Sequence, residues 1–141
     1  MDGNPVMVLD EAECWRRLSQ EQLGRLALAI SHRVDIFPVN YAVHDGALYL
    51  RTAPGSKLLE IAANPDVVFE IDRYDENTAF SVIVRGVAER LELGSEIEEA
   101  ELSGLITWIP TVKDRWVRIV PTEISGREFT RGPEPEPDYL G

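Results

Sequence analysis

Residues 38–57 read PVNYAVHDGALYLRTAPGSK and contain the pattern that decides the fold. Apolar and polar residues alternate on both sides of Asp45-Gly46, which is typical of a two-stranded hairpin. A two-residue turn needs positive φ angles, which Gly adopts freely and Asp tolerates. With Asp45 and Gly46 as the turn, the two strands pair in a single register. The predicted pairs are His44 with Ala47, Val43 with Leu48, Tyr41 with Leu50, Asn40 with Arg51, and Val39 with Thr52.

This register predicts an anion site at the end of the hairpin. It places Arg51 beside Asn40 on the face opposite the core, and a helix begins shortly afterwards at Ser56-Lys57. The free N–H groups of a helix N-terminus favour negative charge. We therefore expect four side chains to converge on one phosphate-sized site: Arg51, Thr52, Ser56 and Lys57. Simpler interpretations stay open, because such cations are commonly solvated surface charges and Ser56 is a common helix cap.

The composition limits the classes of partner. The chain has 141 residues, 44% of them hydrophobic, and a formal net charge of −11. This length predicts one domain, assigned to residues 1–130, followed by a disordered, acidic and Pro-rich tail at 131–141. The acidic balance argues against nucleic acid or an anionic membrane as a partner, since both require a basic surface. A phosphate site in such a chain is a local basic pocket, which favours a small ligand over a polymer.

The cysteine and histidine content argues against disulfide and metal chemistry. Cys14 is the single cysteine, so no internal disulfide can form and a reducing cytoplasm is the expected compartment. His32 and His44 lie at predicted strand ends with no third ligand nearby, so no metal site is expected. No apolar run is long enough to span a membrane, and the N-terminus lacks a signal-peptide pattern.

The rest of the chain continues as short strands interrupted by three helices. Asp10 and Glu13 have the spacing of a capping box before the first helix. Pro38 predicts an edge strand or a bulge, and Gly86 predicts a bulge or a bend. The expected fold is mainly β, a six-stranded antiparallel barrel with short helices over its openings. The predicted strands are 24–31, 34–44, 47–53, 67–72, 79–92 and 115–125, and the predicted helices are 11–20, 55–63 and 96–103.

Four stretches of the chain carry a family resemblance. They read LGRLALA at 23–29, LYLRTAPGSKLLEIAANPDVVFEID at 48–72, SVIVRGVAERL at 81–91 and WVRIVPTEISGREF at 116–129. These sequences resemble the flavin-binding split-barrel family named after pyridoxamine phosphate oxidase, and the last resembles its short, single-domain members. The resemblance implies a split β-barrel that binds FMN at the interface of a homodimer.

The same resemblance assigns cofactor roles to two groups of residues. One group holds the FMN phosphate and coincides with the anion site above: Arg51, Thr52, Ser56 and Lys57. The other lines the edge of the isoalloxazine ring, partly through backbone groups: Val39, Asn40, Tyr41 and Ala42. Trp108 and Trp116 lie where a partner subunit closes the pocket in relatives, so Trp116 is a further expected contact.

The chain also departs from the family pattern. Many relatives have two adjacent basic residues where this chain has Ser56-Lys57, and the long C-terminal segment that holds substrate in pyridoxamine phosphate oxidases is missing. We therefore expect an FMN-dependent oxidoreductase of unknown substrate. Two alternatives stay open. One is a reductase that uses the deazaflavin coenzyme. The other is a non-catalytic dimer that binds flavin or haem, with His32 or His44 as the axial ligand.

Overall fold

The computed structural model describes residues 4–109 and 112–134. These residues form one antiparallel sheet of eight strands, which curls into a half-open barrel, and three short helices. The mainly β, split-barrel fold is therefore confirmed, with eight strands where six were predicted. In chain order the elements are β1 (Val6–Leu9), α1 (Glu11–Ser19), β2 (Leu23–Ile30), β3 (Arg33–Asn40), β4 (Ala42–His44), β5 (Ala47–Thr52), α2 (Ser56–Ala63), β6 (Asp66–Tyr74), β7 (Thr78–Arg90), α3 (Gly94–Glu101) and β8 (Arg115–Thr130).

The two additional strands have separate origins. β1 lies in a stretch that the six-strand prediction leaves out, and it pairs with the end of β8, with Val6 opposite Phe129. The other arises because the predicted strand 34–44 divides into β3 and β4. β3 pairs with β2, whereas β4 pairs with β5. The chain therefore passes from one edge of the sheet to the other within a single predicted strand.

Tyr41 divides that strand because its side chain enters the core. The ring packs edge-on against Phe69, with the centroids 4.7 Å apart, and the hydroxyl donates to the carbonyl of Leu18 at 2.5 Å. Its backbone N–H donates to the carbonyl of Gln22 rather than to β5. The hairpin ladder ends at Ala42, opposite Tyr49. The predicted pairs of Tyr41 with Leu50, Asn40 with Arg51, and Val39 with Thr52 are therefore wrong.

The turn of this hairpin is as predicted. Asp45 and Gly46 have positive φ angles of 48° and 72°, and Val43 lies opposite Leu48 as the register requires. On its other side, β5 pairs with β8, where Arg51 lies opposite Trp116. The pairing of β5 with β8 thus places Arg51 next to Trp116, which is distant in the sequence.

The order of strands in the sheet is β3-β2-β6-β7-β8-β5-β4. The two ends of this order approach each other, because β3 contacts β5; we call this unclosed seam the split. Pro38 lies in the edge strand β3, as predicted. Gly86 lies at a register shift between β7 and β8, which confirms the bulge. A Cβ atom at Gly86 would stand only 2.5 Å from the carbonyl oxygen of Val120, so the bulge leaves no room for a side chain.

The interior of the barrel is apolar and is closed by α1 and α2. Asp10 caps α1 by accepting the N–H of Glu13 at 2.8 Å, which confirms the predicted N-cap. The carboxylate of Glu13 accepts from Arg16 and Arg17 instead of completing a capping box. α3 begins at Gly94, earlier than predicted, and has no side-chain cap. The largest fully buried side chains in the barrel belong to Phe69, Leu18, Leu26, Leu48, Leu50, Ile71, Ile119, Val82, Val84 and Val117.

Residues 4–109 and 112–134 contain neither a membrane-spanning helix nor a cluster of metal-ligating side chains. No helix there is long and apolar enough to cross a bilayer, and no three His, Cys, Asp or Glu side chains gather as possible metal ligands. At the start of the predicted tail, Arg131 donates its backbone N–H to the carbonyl of Asn77 at 2.7 Å, and its guanidinium lies over Tyr74 at 5.3 Å. The tail residues 135–141 lie outside the described part of the chain.

Candidate functional site

Arg51 stands on the outer face of β5, beside the split. Its guanidinium carbon lies 5.3 Å from the ring centroid of Trp116 on β8. Its Nε atom is buried and has no hydrogen-bond partner among the residues that the structure describes. A buried donor without a partner costs free energy, which an acceptor from a ligand can recover. The ring of Trp116 therefore positions a cation that still has donors to offer.

Lys57 approaches the split from the other side. It lies in the first turn of α2, and its Nζ atom is 5.0 Å from the ring centroid of Phe37 on β3. The side chain is half-buried. Burial lowers its pKa below the ordinary lysine value, and the positive charge of Lys113 lowers the pKa further. The two predicted phosphate ligands Arg51 and Lys57 thus flank the split, each over an aromatic ring.

The two predicted hydroxyl ligands are placed differently from each other. Thr52 is buried with 6% of its surface exposed, and its hydroxyl donates to the carbonyl of Ala53 at 3.2 Å. Ser56 is exposed at the start of α2, where Gly55 occupies the cap position and no side chain caps the helix. The structure therefore gives Ser56 a free approach to a ligand and turns Thr52 toward the protein.

The predicted ring-edge residues lie between the core and the split. Val39 and Tyr41 are buried, and Ala42 is half-buried in the short strand β4. Asn40 is engaged on both sides. Its amide donates to the carbonyl of Gln22 at 3.0 Å, and its Oδ1 accepts the N–H of Trp108 at 2.9 Å. Contacts of this segment with a flavin ring would come from backbone groups, and that assignment stays a prediction.

Residues 105–109 and 112–113 make contacts that the sequence did not predict. Trp108 is 57% exposed, and its indole N–H donates to Oε1 of Gln22 at 3.2 Å. Further along, the Nζ atom of Lys113 donates to the carbonyl of Ile109 at 3.1 Å. Lys113 belongs to no motif, and its positive charge contributes to the lowered pKa of Lys57.

Trp116 has a structural role as well as its contact with Arg51. It is 7% exposed and belongs to a second apolar cluster, on the outer face of β5 and β8 and under α3. Arg118 lies in the same region and pairs with Glu89 at 2.7 Å and with Glu96 at 3.1 Å. We call this region the covered face. Its apolar members are Ala47, Tyr49, Leu91, Ala100 and Trp116, with Ile97 and Leu105 at the margin.

The other half of the outer surface has no helix over it in the described residues. Val34 and Ile36 on β3 are 66% and 65% exposed, and Ile83 on β7 is 36% exposed. A shallow hollow of about 340 Å³ lies between these strands near the Gly86 bulge. We call this region the open face. It comprises Ala27, Ala29, Val34, Ile36, Val68, Ile83, Arg85 and Val120.

Comparison with known proteins gives consistent matches. A family model described as pyridoxamine 5'-phosphate oxidase matches residues 10–128. A Corynebacterium glutamicum protein named for pyridoxamine 5'-phosphate oxidase is 47% identical, with a TM-score of 0.82 over 94% of this chain and 99% of that one. An FAD-binding protein of Mycobacterium smegmatis is 39% identical, with a TM-score of 0.79 over 89% of this chain and 100% of that one. An FAD-binding protein of Mesorhizobium loti is 28% identical, with a TM-score of 0.77 over 87% and 97%.

Proposed function

Because the chain belongs to the pyridoxamine 5'-phosphate oxidase family, we propose that it is a flavin-dependent oxidoreductase that holds the flavin phosphate between Arg51 and Lys57. The observation that carries this proposal is the state of these two cations. Both are half-buried, and neither has a carboxylate partner within residues 4–109 and 112–134. Eight other basic residues, by contrast, form ion pairs: Arg16, Arg17, Arg25, Arg33, Arg73, Arg90, Arg115 and Arg118.

Unpaired, half-buried cations in an acidic protein indicate binding of an anion. A chain with a net charge of −11 has ample carboxylates to neutralise them, so leaving them unpaired costs stability unless a ligand supplies the charge. A phosphate monoester carries close to two negative charges at neutral pH. Arg51 offers directional donors and Lys57 a compact charge, which together suit such a group. The relatives named as FAD-binding support a flavin as its carrier.

When bound, the flavin supplies the electron and hydride transfer, and the protein supplies binding and orientation. Arg51 is held by Trp116 and Lys57 by Phe37, so both donors are positioned before a ligand arrives. Asn40 fixes the segment 105–109 beside the split. This segment and the end of β3 border the place where the ring would lie. FMN is the simplest flavin that such a phosphate site accepts.

We also propose that the protein is a homodimer that uses the open face. Contiguous exposed apolar surface on a sheet is typical of an interaction site. The small residues Ala27 and Ala29 leave space for the side chains of a second copy, and Val34 and Ile36 offer apolar area to bury. A two-fold interface is the commonest arrangement for a symmetric pair.

The test is flavin titration of the purified protein and of the double variant Arg51→Ala/Lys57→Ala. We expect the parent to bind FMN and the double variant to bind it at least about 100-fold more weakly, because two charge-assisted contacts are lost. The matched control is Arg90→Ala/Arg127→Ala, which removes the same charge from exposed positions and should bind as the parent does. Retained affinity in the double variant would contradict the site, and a parent that binds no flavin would contradict the function.

The same titration separates the alternatives. Tighter binding of the deazaflavin coenzyme than of FMN would favour a deazaflavin reductase. The haem alternative gains no support from His44, because its Nε2 lies 2.6 Å from Oε1 of Glu99 and is therefore engaged. His32 is exposed at the turn between β2 and β3. A Soret band in protein reconstituted with haem, lost in His32→Ala, would overturn the flavin proposal.

A further inference from the structure

Three charged side chains stand together at one end of the open face. Glu70 and Asp72 alternate with buried residues along β6 and so share its outer side, and Arg25 on β2 lies opposite Glu70 in the register. The Nη2 atom of Arg25 is 2.6 Å from Oε1 of Glu70 and 2.6 Å from Oδ2 of Asp72. The Nε atom of Arg25 donates to Glu70 as well, at 3.0 Å. We call these three residues the charged triad; Ala27 and Val68 of the open face lie two positions along the same two strands.

The charged triad has one positive charge for two carboxyl groups. Two carboxylate oxygens that share one nitrogen at these distances lie close to each other, and such a pair favours uptake of a proton. Burial and a hydrogen bond with Asp72 raise the pKa of Glu70, whereas the same hydrogen bond lowers the pKa of Asp72. Glu70 is also the less exposed of the two side chains, at 29% against 52%. The proton is therefore held by Glu70 and donated to Asp72, and the pair titrates as a unit.

The charges around the triad leave this imbalance in place. Uncharged residues face it from the neighbouring strands: Ser81 and Ile83 on β7 and Pro38 on β3. The segment 105–109 brings no charge, and Arg73 beside the triad pairs with Glu21 at 3.0 Å. The next charged residues along this side of the sheet are two acidic and two basic ones: Asp66, Glu123, Arg85 and Arg127. With both of its carboxyl groups ionised, the triad keeps one net negative charge.

This net charge matters when the open face is covered. Removing a charge from water is unfavourable unless a partner neutralises it. A two-fold interface would bury two such triads at once, because each copy contributes the same surface. Protonation of Glu70 leaves one carboxylate for one guanidinium, so the triad becomes neutral and its new O–H has an acceptor in Asp72.

We infer that the charged triad makes the association of two copies proton-dependent, with one proton taken from solvent by Glu70 of each copy as the open faces meet. This inference rests on the proposed homodimer and deepens it, because it names what regulates the interface. The dimer then holds up to two protons more than two separate copies. Its dissociation constant therefore falls as pH is lowered from neutrality, by up to about 100-fold per pH unit, until the separate copies are protonated too.

The test is analytical ultracentrifugation of the parent, Glu70→Gln and Asp72→Asn between about pH 5.5 and pH 8. High salt screens the general repulsion between two acidic copies. We expect the dissociation constant of the parent to fall at least about tenfold from the upper to the lower pH. Glu70→Gln keeps the shape and neutrality of the protonated side chain, and Asp72→Asn leaves one carboxylate for Arg25. At pH 8, both variants should dimerise at least about tenfold more tightly than the parent, and their constants should change less than about threefold with pH.

The matched control is Glu92→Gln. It removes the same charge from a side chain that is 75% exposed and lies next to Leu91 of the covered face. Its dissociation constant should follow that of the parent at every pH. Should one triad variant fail to fold, the other gives the same comparison.

The outcomes separate this inference from the proposed function. A dimer whose dissociation constant does not change with pH, or changes equally in the parent and in both triad variants, would overturn the inference and leave the homodimer standing. A parent that is monomeric at every pH and concentration would overturn the interface and the inference together. The flavin site is independent of all these results, because flavin titration tests it separately.

Discussion

The covered face and the open face are two halves of the outer surface of one sheet, and they differ in solvent exposure. On the covered face, α3 buries Tyr49 and Trp116 to 3% and 7% exposure. On the open face, Val34 and Ile36 keep about two-thirds of their surface in solvent, at 66% and 65%. Both halves belong to the same continuous sheet, so the difference lies in what is placed over the strands.

The charges on the two sides differ in the same way. Arg118 on the covered face pairs with Glu89 and Glu96, and hydrogen bonding to Glu89 is the main cause of its raised pKa. Lys57, over Phe37 on the open edge strand β3, has a pKa lowered mainly by burial and further by the positive charge of Lys113. The guanidinium of Arg118 finds two carboxylates within the chain, whereas the β3 side offers apolar surface and positive charge to other molecules. The contrast indicates that the covered face mainly stabilises the fold, whereas the β3 side is available for binding.

The largest expected effect is on the covered face. Trp116→Ala removes an aromatic ring that packs under α3 and beneath Arg51. We expect the free energy of unfolding to fall by about 3–5 kcal/mol, as for other buried aromatic residues. Denaturant unfolding at one fixed protein concentration measures it. A fall of less than about 1 kcal/mol in the free energy of unfolding would mean that the covered face contributes no more to stability than an exposed surface does.

On the open face we expect association to change instead of stability. Ile36→Glu places a charge at the centre of the proposed dimer interface, so the dissociation constant should rise by about 100-fold. Analytical ultracentrifugation over a range of concentrations measures it. Leu59→Glu is the matched control, because Leu59 is 72% exposed on α2 and lies off this face. A variant that dimerises as the parent does, or a parent that is monomeric at all concentrations, would contradict the proposed interface.

The contrast between Lys57 and Arg118 predicts a pH dependence of flavin binding. Only protonated Lys57 attracts the flavin phosphate, and its pKa lies below the usual lysine value. FMN affinity should therefore fall as pH rises through that lowered pKa, by about tenfold in total, whereas Lys57→Arg stays charged and should lose little. In the protein without flavin, the effect of pH on folding stability has the opposite sign. The folded state gains stability from Lys57 as pH rises from its lowered pKa toward the unfolded value. Titrations between pH 7 and 10 and unfolding curves over the same range test both signs.

The smallest expected effect concerns the polar rim of the covered face. His44 on β4 and Glu99 on α3 approach to 2.6 Å, but both are partly exposed, at 27% and 47%. Exposed pairs contribute about 0–1 kcal/mol, so His44→Gln should leave the unfolding midpoint nearly unchanged. A fall of more than about 2 kcal/mol in the free energy of unfolding would show that the His44–Glu99 pair, and not the apolar cluster, holds α3 in place.

Local features of the fold could be predicted from the sequence where one or two residues decide the backbone. Asp45-Gly46 forms the turn, Pro38 lies at a sheet edge, and Gly86 makes the bulge, because each restricts or frees the chain locally. The break at Tyr41 could not be predicted. Alternation continues through residues 34–44, and only the burial of Tyr41 against Phe69 and its bond to Leu18 interrupt the strand.

The candidate site was predictable to a similar degree. The strand-to-helix pattern predicted Arg51 and Lys57 as phosphate ligands. The structure places Arg51 over Trp116 on β8 and Lys57 over Phe37 on β3, and their ligand role stays a prediction. The partners that hold them, Trp116 and Phe37, come from distant strands that no local pattern connects. Thr52 was predicted as a phosphate ligand because it follows Arg51. Its side chain is buried in the structure, and a contact with phosphate stays a prediction.

The reactivity of Cys14 reports whether α1 is packed on the barrel. The thiol is 1% exposed and lies so close to Gly126 on β8 that a Cβ atom there would be 2.7 Å from Sγ. Burial raises its pKa, so the reactive thiolate is scarce while α1 stays in place. The rate at which a thiol reagent labels the unmodified protein therefore measures the local opening of α1 from the barrel. No engineered probe is needed.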